Sequence, residues 1–232
     1  MTGDGVDQVK FFVTGTDTDV GKTLIACGLL HLARKQGLST LGLKPLAAGA
    51  EDQGRGLQNS DALALQAESS LKPRYSEVNP VVLKAAIAPH LAAAEEGRSL
   101  NLDRLAGLVR GQLIKKADFT LVEGAGGWRV PLQGRQTLAE LAKLLQLPVI
   151  LVVKMQLGCL NHALLTAEAI QRDGLSLAGW IATTAGETMP REDENFQTLE
   201  QLLPAPCLGR VPYLDRPTAE AVSRFLKLPS TA

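Results

Sequence analysis

Short apolar runs alternate along the chain with segments of helical period, the pattern of repeated βαβ units around a parallel sheet. Strands are predicted over residues 10–14, 40–46, 119–123, 149–153, 178–183 and 208–211. Helices are predicted over 22–36, 61–68, 102–116, 138–145, 161–172, 195–203 and 219–226. Gly37 and Gly174 stand where two of these helices should stop, and Ser60 stands where an N-cap for 61–68 would be. No repeat, low-complexity tract or linker interrupts the series. Residues 1–232 are therefore expected to form one domain, an α/β fold whose mostly parallel central sheet carries helices on both faces. The glycine-rich polar stretch 49–59 reads as a loop over a site rather than a hinge.

Composition narrows this picture without changing it. With 45% hydrophobic and 21% charged residues, the chain can bury a substantial core and remain soluble. Lys and Arg number 24 against 24 Asp and Glu, which lacks the basic excess of a phosphate-neutralising nucleic-acid binder. Cys27, Cys159 and Cys207 are odd in number and form no CxxC pair, so neither a disulfide framework nor structural zinc is expected, and the compartment reads as reducing. The N-terminus, MTGDGVDQVK, is polar and acidic, without an obvious secretory signal. No apolar run approaches the ~20 residues that span a bilayer. A cytoplasmic protein with neither nucleic acid nor membrane as partner is expected.

The segment GTDTDVGKT at 15–23 lies between the first predicted strand and the first predicted helix. That context aims backbone N–H groups and the positive end of the helix dipole at one point, where an anion is stabilised. Lys22 would then reach the β- and γ-phosphates of a nucleotide, and the Thr23 hydroxyl would ligate Mg²⁺. Asp19, Val20, Gly21 and Leu24 complete the candidate nucleotide contacts of a P-loop NTPase-like fold. The spacing departs from the usual pattern, because five residues rather than four separate Gly15 from Gly-Lys-Thr. Gly21 keeps the close backbone approach, and the added residue widens the loop. Thr16 to Asp19 then turn two hydroxyls and two carboxylates toward the site, which implies a second ligand.

Ligands of open α/β sheets bind at the carboxyl ends of the strands, and further polar residues fall there. Lys44 stands at the end of the second strand, before Pro45. It is either a surface lysine or a second cation that offsets charge on a transferring phosphoryl group or an attached carboxylate. Glu123 ends the strand FTLVE ahead of GAGG at 124–127. A carboxylate there suits Mg²⁺, and the glycines admit a substrate close to the backbone. Asp61 opens a predicted helix, where it would stabilise the dipole by a few tenths of a kcal/mol to about 1 kcal/mol. Taken alone it stays ambiguous.

Together these residues resemble the dethiobiotin synthetase family. The likeness is carried by GTDTDVGKT (15–23), KPLAAG (44–49), NSDALALQ (59–66), VNP (78–80), PH (89–90) and VEGAGGW (122–128). LPVILVV (147–153), LGCLNHALLTA (157–167), AGW (178–180) and VPYL (211–214) extend it in order over nearly the whole chain. The wider class it resembles includes partition ATPases and cobyrinate amide synthetases. Asp17 stands where many members carry a second lysine, which argues against a partition switch. A length of 232 residues leaves no room for the glutamine-hydrolysing domain of an amidotransferase.

The resemblance implies ATP- and Mg²⁺-dependent carboxylation of 7,8-diaminopelargonate (7,8-diaminononanoate) with CO₂. One amine captures CO₂ as a carbamate, whose oxygen takes the γ-phosphoryl group; the second amine then closes the ureido ring and expels phosphate. By the same resemblance Lys22 and Lys44 are the catalytic cations, and Thr23, Asp61 and Glu123 surround Mg²⁺. Gly124, Ala125 and Gly126 join the nucleotide site, and Pro212, Tyr213 and Leu214 reach the base through backbone groups. Thr18, Lys44, Ala48, Gly126 and Gly127 face the diamine. Family members are homodimers, so Cys159 and Asn161 would receive the substrate carboxylate of the partner chain; an ordinary helix cap remains the alternative for Asn161. Two departures stand out. Ala48 replaces a common serine, which removes a contact worth about 1 kcal/mol if nothing substitutes for it. Thr183–Thr184 replaces Asn-Asp, where the asparagine reads adenine. One hydroxyl offers less than an amide's paired donor and acceptor, so weaker base discrimination is expected. His90 has no assigned role, and Trp128 reads as packing.

Overall fold

The computed structural model describes residues 8–230, apart from positions 53, 185, 187 and 188. The N-terminal segment read for a secretory signal lies mostly outside the described residues. Six strands form the central sheet: β1 (Val9–Gly15), β2 (Thr40–Leu43), β3 (Phe119–Glu123), β4 (Val149–Lys154), β5 (Leu177–Thr183) and β6 (Cys207–Val211). Every pairing is parallel, in the order β6-β5-β4-β1-β3-β2. The helices are α1 (Lys22–Lys35), α2 (Ser60–Glu68), α3 (Tyr75–Val78), α4 (Pro89–Glu95) and α5 (Leu102–Leu113). They continue with α6 (Leu138–Leu145), α7 (Cys159–Arg172), α8 (Glu192–Leu202) and α9 (Ala219–Ser223).

Side-chain alternation along the strands decides which helices cover which face. Phe11 and Val13 of β1 and Ile150 and Val152 of β4 pack with α1, α2 and α9. Phe12 points the other way, into a cluster with α5 and α6, and Leu151 and Val153 pack against α7 and α8. Burial on both faces is why these strands read as apolar runs. From β1 the chain crosses to β2 beyond β3; from β3 it returns past β1 to β4. The connections therefore diverge at the carboxyl ends of β1 and β3, the place where open α/β sheets bind ligands. Among the described residues no helix is long and apolar enough to cross a membrane.

Several boundaries differ from the expected ones. The second strand ends at Leu43 rather than at 46, and Leu46–Ala47 pairs instead with Val81–Val82. Pro45 lacks the N–H that would continue the sheet. The N-cap of α2 is Asn59, not Ser60: its side chain accepts from the amides of Asp61 and Ala62 at 3.1 and 3.3 Å. Stretch 49–59 is no plain loop, since Glu51–Asp52 pairs antiparallel with Leu57–Gln58; position 53 lies outside the described residues. Helix α5 stops at Leu113 rather than 116, and α7 begins at Cys159, ahead of 161. Helix α8 starts at Glu192, earlier than 195, because Glu192, Asp193 and Glu194 complement its N-terminal dipole. Helix α9 stops at Ser223, short of 226, where Leu226 bridges to Gly209.

Candidate active site

The phosphate-loop candidate runs from the end of β1 into α1. An added Cβ at Gly15 would fall 2.5 Å from Val20 Cγ2, so the loop folds back on its strand only because that residue is glycine. Gly21, the N-cap of α1, has φ 89°, and Asp19 has φ 56°. Left-handed residues in such a turn make the concave run of amides that holds anions. Thr183 at the end of β5 donates its hydroxyl to the Val20 carbonyl at 2.8 Å, which ties the loop to the sheet. Lys22 is buried, and its ammonium donates to the Asp17 carbonyl at 2.8 Å. Burial, then the charge of Lys44, pulls it down to about 8, against the opposing pull of Glu123, Asp61 and Asp19.

Lys44 is buried too, yet its surroundings are opposite. Its ammonium lies 2.5 Å from Glu123 Oε1, 3.1 Å from Asp61 Oδ2 and 3.0 Å from the Gly124 carbonyl. Burial alone would lower its affinity for a proton, but the carboxylates of Glu123 and Asp61 outweigh that and hold it above the ordinary lysine value. Thr23 Oγ1 donates to the same Glu123 oxygen at 2.8 Å. The Lys44 backbone is clamped on both sides: its N–H donates to Val78 O at 2.9 Å, and its carbonyl accepts from Asn79 Nδ2 at 2.7 Å. Tyr75 donates its hydroxyl to Asn79 Oδ1 and accepts from the Asn59 amide, each at 2.8 Å. Asn59, the cap of the helix bearing Asp61, is thus linked to the segment bearing Lys44. The sequence reading missed Asn59, Tyr75 and Asn79; the motif VNP was the available signal.

The donors suit Mg²⁺. Thr23, Asp61 and Glu123 offer hard oxygens only, and Thr23 Oγ1 and the Lys44 ammonium converge on Glu123 Oε1. Among the described residues no three His, Cys, Asp or Glu side chains converge. Two carboxylates and a hydroxyl match a Mg²⁺ that brings phosphate oxygens and waters with it.

A cleft of about 970 Å³ opens above these groups. Thr18, Asp19, Gly21, Lys22, Thr23, Leu24, Lys44, Ala48, Asp61, Ala125 and Gly126 line it. Among the described residues of stretch 49–59 only Gly49 and Asn59 reach it. Ala86 to Pro89, ahead of and opening the unpredicted helix α4, close its far side. Glu123 and Gly124 lie beneath the lining and are reached through Lys44. Gly127 sits beside the loop, where an added Cβ would be 3.5 Å from Thr16 O. The remaining candidates lie elsewhere. Thr183 is turned to Val20, and Thr184 donates to Glu192 Oε1 at 2.9 Å, an oxygen shared with Arg210. Both hydroxyls are therefore engaged within the protein. Pro212 and Tyr213 are exposed, and Leu214 packs at the edge of the α1 core. Cys159 is buried and Asn161 exposed at the start of α7; neither lines this cleft. Trp128 meets Phe12 edge-on, with ring centroids 6.1 Å apart, and donates to Asp173 at 2.8 Å, so it is a packing residue.

A parallel sheet whose first strand turns through such a loop into Lys-Thr, beside a strand ending in a carboxylate, defines a protein of the P-loop NTPase class. The fold is shared with a ParA family ATPase from Chlorobium tepidum TLS, at a TM-score of 0.53 and 14% identity over 90% of this chain and 85% of that one. A family model described as an AAA domain matches residues 9–221. The ATP-dependent dethiobiotin synthetase BioD of Cellvibrio japonicus (strain Ueda107) is 63% identical over 96% of this chain and 97% of its own length. The protein of the same name from Pseudomonas aeruginosa (strain UCBPP-PA14) is 59% identical over 94% of this chain and 96% of its own. The chain belongs to the AAA-domain family of that model and, within it, to the ATP-dependent dethiobiotin synthetases.

Proposed function

We propose that residues 1–232 act as one synthetase domain that makes dethiobiotin from 7,8-diaminopelargonate, CO₂ and ATP. The observation that carries this reading is one cleft holding a phosphate loop, two buried lysines and two carboxylates, with room for a second ligand beside a nucleotide. One amine of the diamine adds to CO₂ and loses a proton, giving a carbamate. A carbamate oxygen attacks the γ-phosphorus while the bond to the β-phosphate oxygen breaks, which yields ADP and a carbamic–phosphoric anhydride. The second amine attacks the carbonyl carbon, phosphate leaves with the bonding pair, and a proton is released as the ring closes. Lys22 and the loop amides bind the β- and γ-phosphates, and Lys44 offsets charge on the carbamate and the transferring group. Thr23, Asp61 and Glu123 would hold Mg²⁺, which would supply charge neutralisation of the phosphates when bound. Thr18, Ala48, Gly126 and Gly127 face the diamine, while Gly124 and Ala125 join the nucleotide side. This work is positioning and electrostatics.

The base lies toward Thr183, Thr184 and the segment Pro212 to Leu214. We further infer a cytoplasmic homodimer in which Cys159 and Asn161 at the start of α7 serve the partner's substrate. Their position away from the cleft supports that division. The test is ATP hydrolysis with bicarbonate, with and without the diamine. Phosphate release should require both substrates; diamine-independent turnover, or none with the diamine present, would sink the reading. Sedimentation of the protein as a monomer at working concentration would remove the dimer.

A further inference from the structure

We propose that Lys44 selects the cation of this site: its ammonium and the divalent metal are alternative occupants of one seat, so metal enters only together with nucleotide. The inference rests on the functional reading above and concerns how its cation site fills. The Lys44 ammonium has three oxygens around it, Glu123 Oε1, Asp61 Oδ2 and Gly124 O, at 2.5, 3.1 and 3.0 Å. Two of these belong to the carboxylates that suit the metal, and Thr23, which supplies the third metal donor, hydrogen-bonds to the same Glu123 oxygen. The donor set for Mg²⁺ therefore already surrounds a monocation.

Glu123 Oε2 offers no separate place. It is shut off from solvent and meets no donor, whereas Mg²⁺ demands octahedral geometry and keeps several waters. Two cations on Oε1 would repel strongly, because little water lies between them. The metal therefore has to evict Lys44 into the cleft it lines, and a bare metal ion brings no anion to replace the two carboxylates the ammonium leaves. A metal–nucleotide complex brings anionic phosphate oxygens that receive it. The clamps at Val78 and Asn79 hold the Lys44 backbone, so the exchange needs only side-chain rotation.

The probe is Mn²⁺ without nucleotide or substrate, counted by the electron paramagnetic resonance signal of the free ion. Lys44→Met and Lys44→Gln should bind Mn²⁺ about tenfold more tightly than the wild type, or better. Lys22→Met separates seat competition from general charge, because Lys22 donates to a carbonyl and to no carboxylate. It should change Mn²⁺ affinity far less. Equal affinity in wild type and both Lys44 variants overturns the proposal, as does an equal gain in Lys22→Met or tight Mn²⁺ binding to the wild type alone. If the Lys44 variants fail to fold, nitrogen-15 NMR of wild-type lysine ammonium groups decides. The Lys44 signal should persist with Mg²⁺ alone and shift with Mg²⁺ plus a non-hydrolysable ATP analogue; no shift with the complex overturns the idea. None of these measurements uses turnover, so their failure is distinguishable from failure of the diamine-dependent assay.

Discussion

Replacing Thr183 by valine removes one hydroxyl and leaves the side-chain shape almost unchanged. That hydroxyl is 2.8 Å from the Val20 carbonyl, and Thr183 is only 5% exposed, so water cannot take its place. A buried hydrogen bond contributes about 1 kcal/mol net, and stranding a buried carbonyl raises the loss to about 1–3 kcal/mol. We take about 2 kcal/mol, which for a chain of this size lowers Tm by about 4–8 °C. The same bond sets the carbonyl next to Gly21, at the point where the loop turns into α1. If the whole loss falls on the geometry that binds phosphate, nucleotide affinity drops by at most about 30-fold. Thermal melts and calorimetric Kd values for a non-hydrolysable MgATP analogue read both effects. Thr183→Ser separates hydroxyl from methyl: it should keep the nucleotide Kd while losing some stability. A valine variant with wild-type Tm and Kd, or a serine variant that binds as poorly as valine, would refute the reasoning.

Other outcomes follow from the same geometry. Lys22, held down to about 8, is neutral above that pH, and a bound polyphosphate restores its proton. Nucleotide affinity should therefore be full below pH 8 and fall as pH rises, by about 25-fold between about pH 7.5 and 9.5. Log Kd against pH should be flat in Lys22→Gln; a flat wild-type curve would refute this. Lys44→Ala should lose most of kcat and also destabilise the fold by about 3–5 kcal/mol in urea titrations, because it leaves Glu123 charged and unpaired in the interior. An unchanged urea midpoint would show that the pair carries no such weight. With the Thr183 and Thr184 hydroxyls engaged inside the protein, ATP should exceed CTP and GTP in kcat/KM by less than several hundredfold. A larger preference, measured by steady-state phosphate release, would show that another group reads the base.

The strands and the loop were legible because their signals are local. Burial on both faces writes apolar runs into β1, β3 and β4, and Gly-Lys-Thr between strand and helix is a chemical requirement at one place in the chain. Lys44, Asp61 and Glu123 were legible one step less directly, as polar residues where the chain leaves an apolar element. What stayed hidden depends on partners distant in sequence. Nothing at Tyr75 or Asn79 says that they link Asn59 to the backbone of Lys44. Helices of four and seven residues, α3 and α4, are too short for helical period to emerge. Asn59 and Ser60 are both good N-cap residues, so only the backbone could choose between them. Thr183 and Thr184 were legible as hydroxyl bearers, but residue type does not reveal whether a hydroxyl faces ligand or protein.

The two lysines show most clearly what the fold adds to residue identity. Lys22 opens α1 and Lys44 follows the end of β2; both are buried, so burial disfavours either charge. Lys22 meets only a carbonyl and is held down to about 8; Lys44 meets two carboxylates and is held up. Environments that push two like groups apart mark a division of roles. Lys22 has already lost its water without gaining an anion, so a phosphate that arrives beside it receives nearly the whole electrostatic interaction. Lys44 already has its anions, so it can act on a substrate only by exchanging them. Binding at the loop should therefore be governed by the protonation of Lys22, and the chemical step by the release of Lys44. A variant with arginine at 22 would keep its charge through this pH range, and its nucleotide affinity should no longer depend on pH. If kcat of that variant kept the wild-type pH profile while its Kd profile flattened, the two roles would be separated in one protein.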